Sequence, residues 1–291
     1  MATKPFLPYF PVTPRFGHYL AVPPYRADND MYENGIREAQ VPRFQRSFAL
    51  LLYVSLSASN RFACAQDQQQ IASLVLRFQQ THGLADKERI LNLIIQEGYA
   101  AGPPLLRLAK ATNDNDTRWL AIRGLGMLKF EDASPFLIES LKSDEHYVRA
   151  NAARALGELR YSPAGPALIH LLADEQDAGV IEQASLALRM IKAQNAIPTI
   201  ESRMSFNSAQ TRCWLLDAIA GLGSKSDVPF IAKYLYISDT ASEGVPLCAS
   251  RALATLTGED FGLPKTGGLF DPQAPVSKAR KWWEQTQYRP Q

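Results

Sequence analysis

From Tyr147 to Leu159 the chain reads YVRANAARALGEL. Val148, Ala152, Ala155, Leu156 and Leu159 recur at three- and four-residue steps, which sets them on one face of a helix. The alanines among them leave room for a neighbouring helix to approach closely. A polar turn follows. Pro166 then marks the start of a second helix, because proline's missing N–H is harmless in a first turn. The unit is a helical hairpin.

The same unit recurs along the chain. Pro104, Pro135, Pro166, Pro198 and Pro229 are spaced 31, 31, 32 and 31 residues apart. Leu106, Leu137, Leu168, Ile200 and Ile231 lie two residues after them, and Leu141, Leu172, Met204 and Leu235 lie six after. Upstream, Ile94, Leu125, Leu156, Leu188 and Ile219 lie ten before, and Leu128, Leu159, Ile191 and Leu222 seven before. Five prolines with four aliphatic columns in register define an internal repeat. No segment alternates with period two for long enough to form a strand, so the fold class is all-α. Asp132, Asn195 and Ser226, three residues before their prolines, are expected to cap the second helices.

A hairpin of this size cannot bury both its apolar faces alone, so the units stack into a solenoid with a continuous core. The open ends need covers. Residues 66–84, containing IASLVLRFQQTHGL, provide an N-terminal cap helix; residues 85–258 hold the repeats; and residues 259–291, with Trp282 and Trp283, provide a C-terminal cap. We read the Trp pair as an apolar lid on the last repeat.

The run from Asp144 to Leu159 resembles the short HEAT repeat of the phycobilin-lyase-like class: an acid, then Val-Arg, then small residues, then Leu-Gly and a closing Leu. Arg118, Arg149 and Arg212 fall in that family's arginine column; Ile181 departs from it and would break an acid–arginine ladder there. The resemblance covers about Asp86 to Gly258, five or six repeats, the last of them (Thr240 to Leu256) irregular and containing Pro246. The tail Leu256 to Gly262, followed by Trp282-Trp283, is similar to the ending of many exported bacterial HEAT-repeat proteins. The resemblance implies a right-handed α-solenoid that serves as a protein-binding scaffold, with a HEAT-like lyase or an accessory subunit of an enzyme complex as the alternative.

Enzymes of similar fold leave marks that this sequence lacks. Deoxyhypusine hydroxylases hold two irons with paired His-Glu dipeptides, whereas His18, His82, His146 and His170 are not followed by Glu. The run Gly221 to Ser226 (GLGSKS) lacks the Gly-Lys-Ser/Thr order of a phosphate loop and has no strand before it. No catalytic residue, cofactor or metal site is therefore expected.

The chain has 291 residues, 31 Lys+Arg and 29 Asp+Glu. Seven of the basic and four of the acidic residues lie in 1–65, leaving a net charge of −1 in 66–291. A near-neutral repeat region gives no support to nucleic-acid binding. Arg43 and Arg46 precede the apolar stretch Ser47 to Ala58, and Ala63-Cys64-Ala65 fits the small-x-small rule for cleavage between Ala65 and Gln66. A stretch of twelve residues is too short to span a bilayer, which takes about 20 apolar residues. Residues 31–65 thus read as a signal peptide, residues 1–30 as a disordered or spurious leader, and the mature chain as periplasmic or secreted without membrane insertion. Cys213 and Cys248 lie at roughly matching positions in adjacent repeats and could pair in an oxidising compartment. Cys213 beside Trp214 in an apolar helix reads more simply as core.

A binding surface is expected on the second helices, the inner side of the curve. The residue four after each proline points about 180° from the core positions at ~100° per residue. That column is Leu108, Glu139, His170, Ser202 and Lys233, mixed in sign and suited to a polar protein or peptide. Phe136 and Phe230, one after their prolines, are expected as exposed aromatic anchors. The mature chain is expected to be a monomer without catalysis of its own.

Overall fold

A computed structural model describes residues 66–205, 208–237, 244–264 and 271–287. The leader, the proposed signal peptide and Ala65 lie outside the described residues; Gln66, the first of them, is already helical. All regular structure among the described residues is helical. A first helix, α1, covers 66–80. First helices of the repeats are α2 (Leu84–Gln96), α4 (Asn115–Met127), α6 (His146–Glu158), α8 (Ala178–Met190), α10 (Ala209–Leu222) and α12 (Val245–Thr257). Second helices are α3 (Gly102–Ala111), α5 (Ser134–Ser140), α7 (Gly165–Asp174), α9 (Ile197–Ser202) and α11 (Val228–Ala232), and α13 (Gln273–Gln287) closes the series. The architecture is an α-solenoid.

Close approach along the first-helix layer follows from small side chains. A Cβ on Gly126 of α4 would stand 2.8 Å from the Cα of Ala155 on α6, and one on Gly157 of α6 would stand 2.8 Å from the Cα of Ala187 on α8. Only glycine allows the backbones to meet at that distance. The turn leaving each of α4, α6 and α8 is a Schellman closure. At the first of these, the Phe130 N–H donates to the Leu125 carbonyl (3.1 Å) and the Lys129 N–H to Gly126 (2.9 Å). The left-handed residue of these turns is not glycine but Lys129, Arg160 and Lys192, with φ of 51°, 52° and 58°.

Second helices are entered differently from the way the sequence implied. Asp132, Asn195 and Ser226 do not cap them: each lies inside a 3-10 turn (Glu131–Ala133, Gln194–Ala196, Lys225–Asp227) that leads directly into the α-helix, with the proline in its first turn. Side-chain caps sit instead on first helices, where Asp114, Asp177 and Ser208 accept backbone N–H groups of α4, α8 and α10.

The core runs continuously from Ile71, Leu74 and Phe78 of α1 to Ala279 of α13. Leu137, Leu168, Ile200 and Ile231, two after their prolines, are fully buried, as are Leu125, Leu156, Leu188 and Ile219 of the first helices. The first repeat needs a correction of register. Its helix starts at Gly102, so Pro103 and not Pro104 is the equivalent of Pro135 and Pro166. Leu105 and Ala109 then fill the core positions, both fully buried, and Leu108 is buried too. The exposed residue four after the proline is Arg107. At the far end Trp282 stacks edge-on against Phe261 (5.6 Å between centroids), and Arg280 donates to the Leu235 carbonyl (Nε, 2.9 Å).

Candidate functional site

The fifth residue of the capped first turn forms a column of its own: Lys87, Arg118, Arg149, Ile181 and Arg212 each lie four after the helix's N-cap position. Arg149 shows what the column does. Its Nη1 donates to the carbonyls of Ser143 (2.8 Å) and Asp144 (2.9 Å), closing the linker before its own helix. Nε and Nη2 grip both oxygens of Glu175 in the next repeat, at 2.7 and 3.0 Å. Glu175 also accepts the backbone N–H groups of Gln176 (3.0 Å) and Asp177 (2.9 Å). Burial alone would raise the Glu175 carboxyl, but Arg149 and those two amides outweigh it and hold it below its ordinary range.

Lys87 belongs to the same column and was not foreseen as such. Its ammonium is buried and binds Asp114 and the Thr117 hydroxyl (2.6 Å), so the cap of α4 is held from the preceding repeat. Burial pushes the Asp114 carboxyl up, yet the bonds from Lys87 and Thr117 prevail and bring it to about 2. Arg118 donates to the Thr112 carbonyl, which corresponds to Ser143 one repeat on. The ladder's expected break at Ile181 is real on its own helix, where Ile181 is fully buried. The corresponding carbonyl, that of Glu175, is nevertheless served: Arg203 reaches back from the following repeat to it and to the Ala173 carbonyl (3.1 Å).

Above this staple, between α5 and α7, lies a groove of about 910 Å³. Ile138, Leu141, Ala167 and Leu171 supply its apolar wall, Lys142, His170 and Asp174 its charged rim, and the Arg149–Glu175 pair closes one end. His170 and Asp174 face one another at 3.9 Å across one helical turn, both well exposed. The two charges at the end of the groove are spent on each other and on backbone, which leaves Lys142, His170 and Asp174 for a ligand. Sequence reasoning missed Lys142 and Asp174 because they sit outside the column; the polar ends of two helices flanking His170 were the available signal.

Glu139, His170, Ser202 and Lys233 are all exposed, and with Arg107 they run along five successive second helices, Lys233 opening the 3-10 turn Lys233–Tyr236. Of these only His170 lines the groove. Leu108 does not belong to this surface: with Pro103 setting the register of α3, it is buried. Phe136 and Phe230 are not exposed anchors: both are half-buried against the core, with Lys110 over the first ring (5.8 Å) and Lys233 over the second (5.6 Å). A second, smaller cleft of about 220 Å³ on the first helices is lined by Glu182, Arg189, Trp214 and Asp217, among others, with Arg189 paired to Asp217. Burial pushes the Glu182 carboxyl up, opposed by Arg154.

Cys213 and Cys248 are joined in a disulfide, Cα to Cα 5.4 Å, so Cys213 is not simply a core residue. Among the described residues no group of three or more His, Cys, Asp or Glu side chains is placed to hold a metal ion, and no helix is long and apolar enough to cross a membrane.

Residues 102–189 match the family model of HEAT repeats. That stretch carries HEAT repeats. The matched span contains α3 to α8, with the Arg118 and Arg149 staples and the groove, so the site is built from HEAT elements. No curated protein matches the chain in sequence. Among solved structures it is similar to the complex of CpcE and CpcF of phycocyanin lyase from a Nostoc species, at 20% identity over 72% of this chain and 92% of that one, with a TM-score of 0.45. It is also similar to an engineered protein at 20% identity over 64% of this chain and 57% of that one, TM-score 0.44. Human deoxyhypusine hydroxylase, in complex with glycerol, is similar at 15% identity over 79% of this chain and 100% of that one, TM-score 0.33.

Proposed function

We propose that this chain is an exported HEAT-repeat scaffold that binds a protein or peptide partner through its second helices and performs no catalysis of its own. The observation that carries the reading is the groove between α5 and α7, whose apolar wall is bordered by Lys142, His170 and Asp174. Such a site takes one or two apolar side chains of a partner while the rim orients its polar groups. The exposed residues Arg107, Glu139, Ser202 and Lys233 extend the surface along the array. Charge of both signs there favours a polar partner over a lipid.

Export draws support from two separate features. Arg43, Arg46, the apolar run Ser47 to Ala58 and Ala63-Cys64-Ala65 have the order of a signal peptide. The Cys213–Cys248 disulfide suits an oxidising compartment. Mass spectrometry of the chain recovered from periplasm or medium should find an N-terminus at Gln66; a cytoplasmic chain retaining residues 31–65 overturns export. For binding, the mature chain and a variant with Glu139→Ala, His170→Ala and Lys233→Ala are compared as bait. Partners retained in full by the variant overturn the proposed surface.

A further inference from the structure

We propose that the Cys213–Cys248 disulfide is a redox-operated tie that takes over the staple's task in the last repeat, and that it opens with Cys248 as the leaving thiolate. The inference is independent of the partner-binding reading. Its first support is positional. Gly244 is the N-cap of α12, so Cys248, four residues on, occupies the column filled elsewhere by Lys87, Arg118, Arg149, Ile181 and Arg212. Where the column loses its cation at Ile181, Arg203 restores the contact from the next repeat. At Cys248 the contact is covalent and runs back to Cys213 on α10.

The need for a tie there is visible in the chain. Only three residues (112–114 and 175–177) join α3 to α4 and α7 to α8, but eight (237–244) separate the Lys233–Tyr236 turn from α12. A longer linker constrains the following helix less. What it must hold is the terminal cap: α13 docks through Val276 and Ala279, and Arg280 fastens it to the Leu235 carbonyl. The disulfide is thus the covalent attachment of the α12–α13 end to the array.

The direction of opening follows from Arg251. Its Nη2 lies 3.8 Å from the Cys248 sulfur, one turn along the same helix. A guanidinium lowers the pKa of a neighbouring thiol, and the thiol of lower pKa leaves faster in exchange. Both cysteines are half-buried rather than enclosed, so a thiolate can reach them. In the step, a thiolate of a dithiol reductant attacks the Cys213 sulfur; the new S–S bond forms as the Cys213–Cys248 bond breaks and its electron pair leaves on Cys248. The reductant's second thiol, losing its proton, then displaces Cys213 as a thiolate. Two electrons pass to the protein, the reductant becomes a cyclic disulfide, and the cysteines take up protons according to pH.

The test uses the full chain under native conditions. With glutathione as the probe and rapid alkylation, peptide mass spectrometry should find the mixed disulfide on Cys213 and the alkyl group on Cys248; the reverse assignment, or no opening even by dithiothreitol, overturns the proposal. Arg251→Gln should slow opening by dithiothreitol roughly threefold or more, the effect of about one pKa unit at a Brønsted slope of about 0.5; an unchanged rate overturns the leaving-group assignment. Hydrogen exchange on the reduced wild type should rise in 245–257 and 273–287 and stay unchanged in 115–190. The Cys213→Ser/Cys248→Ser chain should reproduce that pattern; if it does not fold, the reduced wild type still gives the reading. Exchange that rises evenly, or nowhere, overturns the tie.

Discussion

Replacing Arg149 with Ala tests the staple at its most complete instance. The change removes two bonds to Glu175 and the donors to the Ser143 and Asp144 carbonyls. The pair's side chains are only 18% and 6% exposed, so the carboxylate left behind has little water to turn to. Breaking a buried pair by deleting one partner costs about 3–5 kcal/mol, because the other charge loses its counter-ion; here the Gln176 and Asp177 amides still serve Glu175, which favours the lower part of that range. For a chain of this size that corresponds to a fall in Tm of roughly 6–20 °C. Thermal and urea unfolding of the full chain, followed by circular dichroism, reads it directly. Two features separate this cause from lost packing. Adding Glu175→Gln should recover a large part of the loss, since the stranded charge is then gone. The gap between wild type and Arg149→Ala should also narrow as pH falls through the carboxylate range, because the unpaired Glu175 protonates readily while the paired one resists. A loss below about 0.5 kcal/mol, the size of an ordinary surface change, or a gap that does not move with pH, refutes the reasoning.

Other consequences are as specific. Gly126→Ala should destabilise by about 1–3 kcal/mol, as overpacking does, because its Cβ would stand 2.8 Å from the Ala155 backbone; a urea midpoint equal to wild type contradicts the close approach. Lys192→Gly should stabilise by roughly 0.5–1 kcal/mol, the left-handed penalty relieved less the entropy of a new glycine, and an unfolding curve shifted the other way argues against that turn. Asp114 titrates at about 2 in the folded chain against an ordinary 3.8, so its contribution is complete above about pH 5 and is lost as pH falls towards 2. The Asp114 side chain is half exposed, which makes the contribution smaller than the shift alone implies. Urea midpoints measured against pH should fall less steeply in Asp114→Asn than in wild type, and parallel curves exclude the linkage.

Periodic burial is what made the repeat legible: Leu125, Leu156, Leu188 and Ile219 recur because each faces the same core. Spacing alone does not fix register. Pro103 and Pro104 are adjacent, and nothing local says which opens α3, so the column inherited Leu108 in place of Arg107. Asp132, Asn195 and Ser226 have the composition of caps, but a 3-10 turn before each second helix moves the helix start past them. Phe136 and Phe230 were expected as exposed anchors from their place beside the prolines; the lysine laid over each ring and the core beneath it do not show in that placement. Lys87 was in phase with Arg118 and could have been found by extending the arginine column one repeat upstream. Arg203 could not, since it serves the Glu175 carbonyl from a different element. The disulfide was obscured by a one-residue difference in offset, Cys248 standing four after its cap and Cys213 five.

On the proposed reading, the second-helix groove is where this chain meets a partner. Site-specific photo-crosslinking in the producing cell tests it most directly, with a photoreactive residue placed at His170 on the groove rim or at Met127 on an exposed part of the first-helix layer. Discrete adducts from position 170 and none from position 127 are the expected result. Adducts from position 127 alone, or from neither, would contradict it.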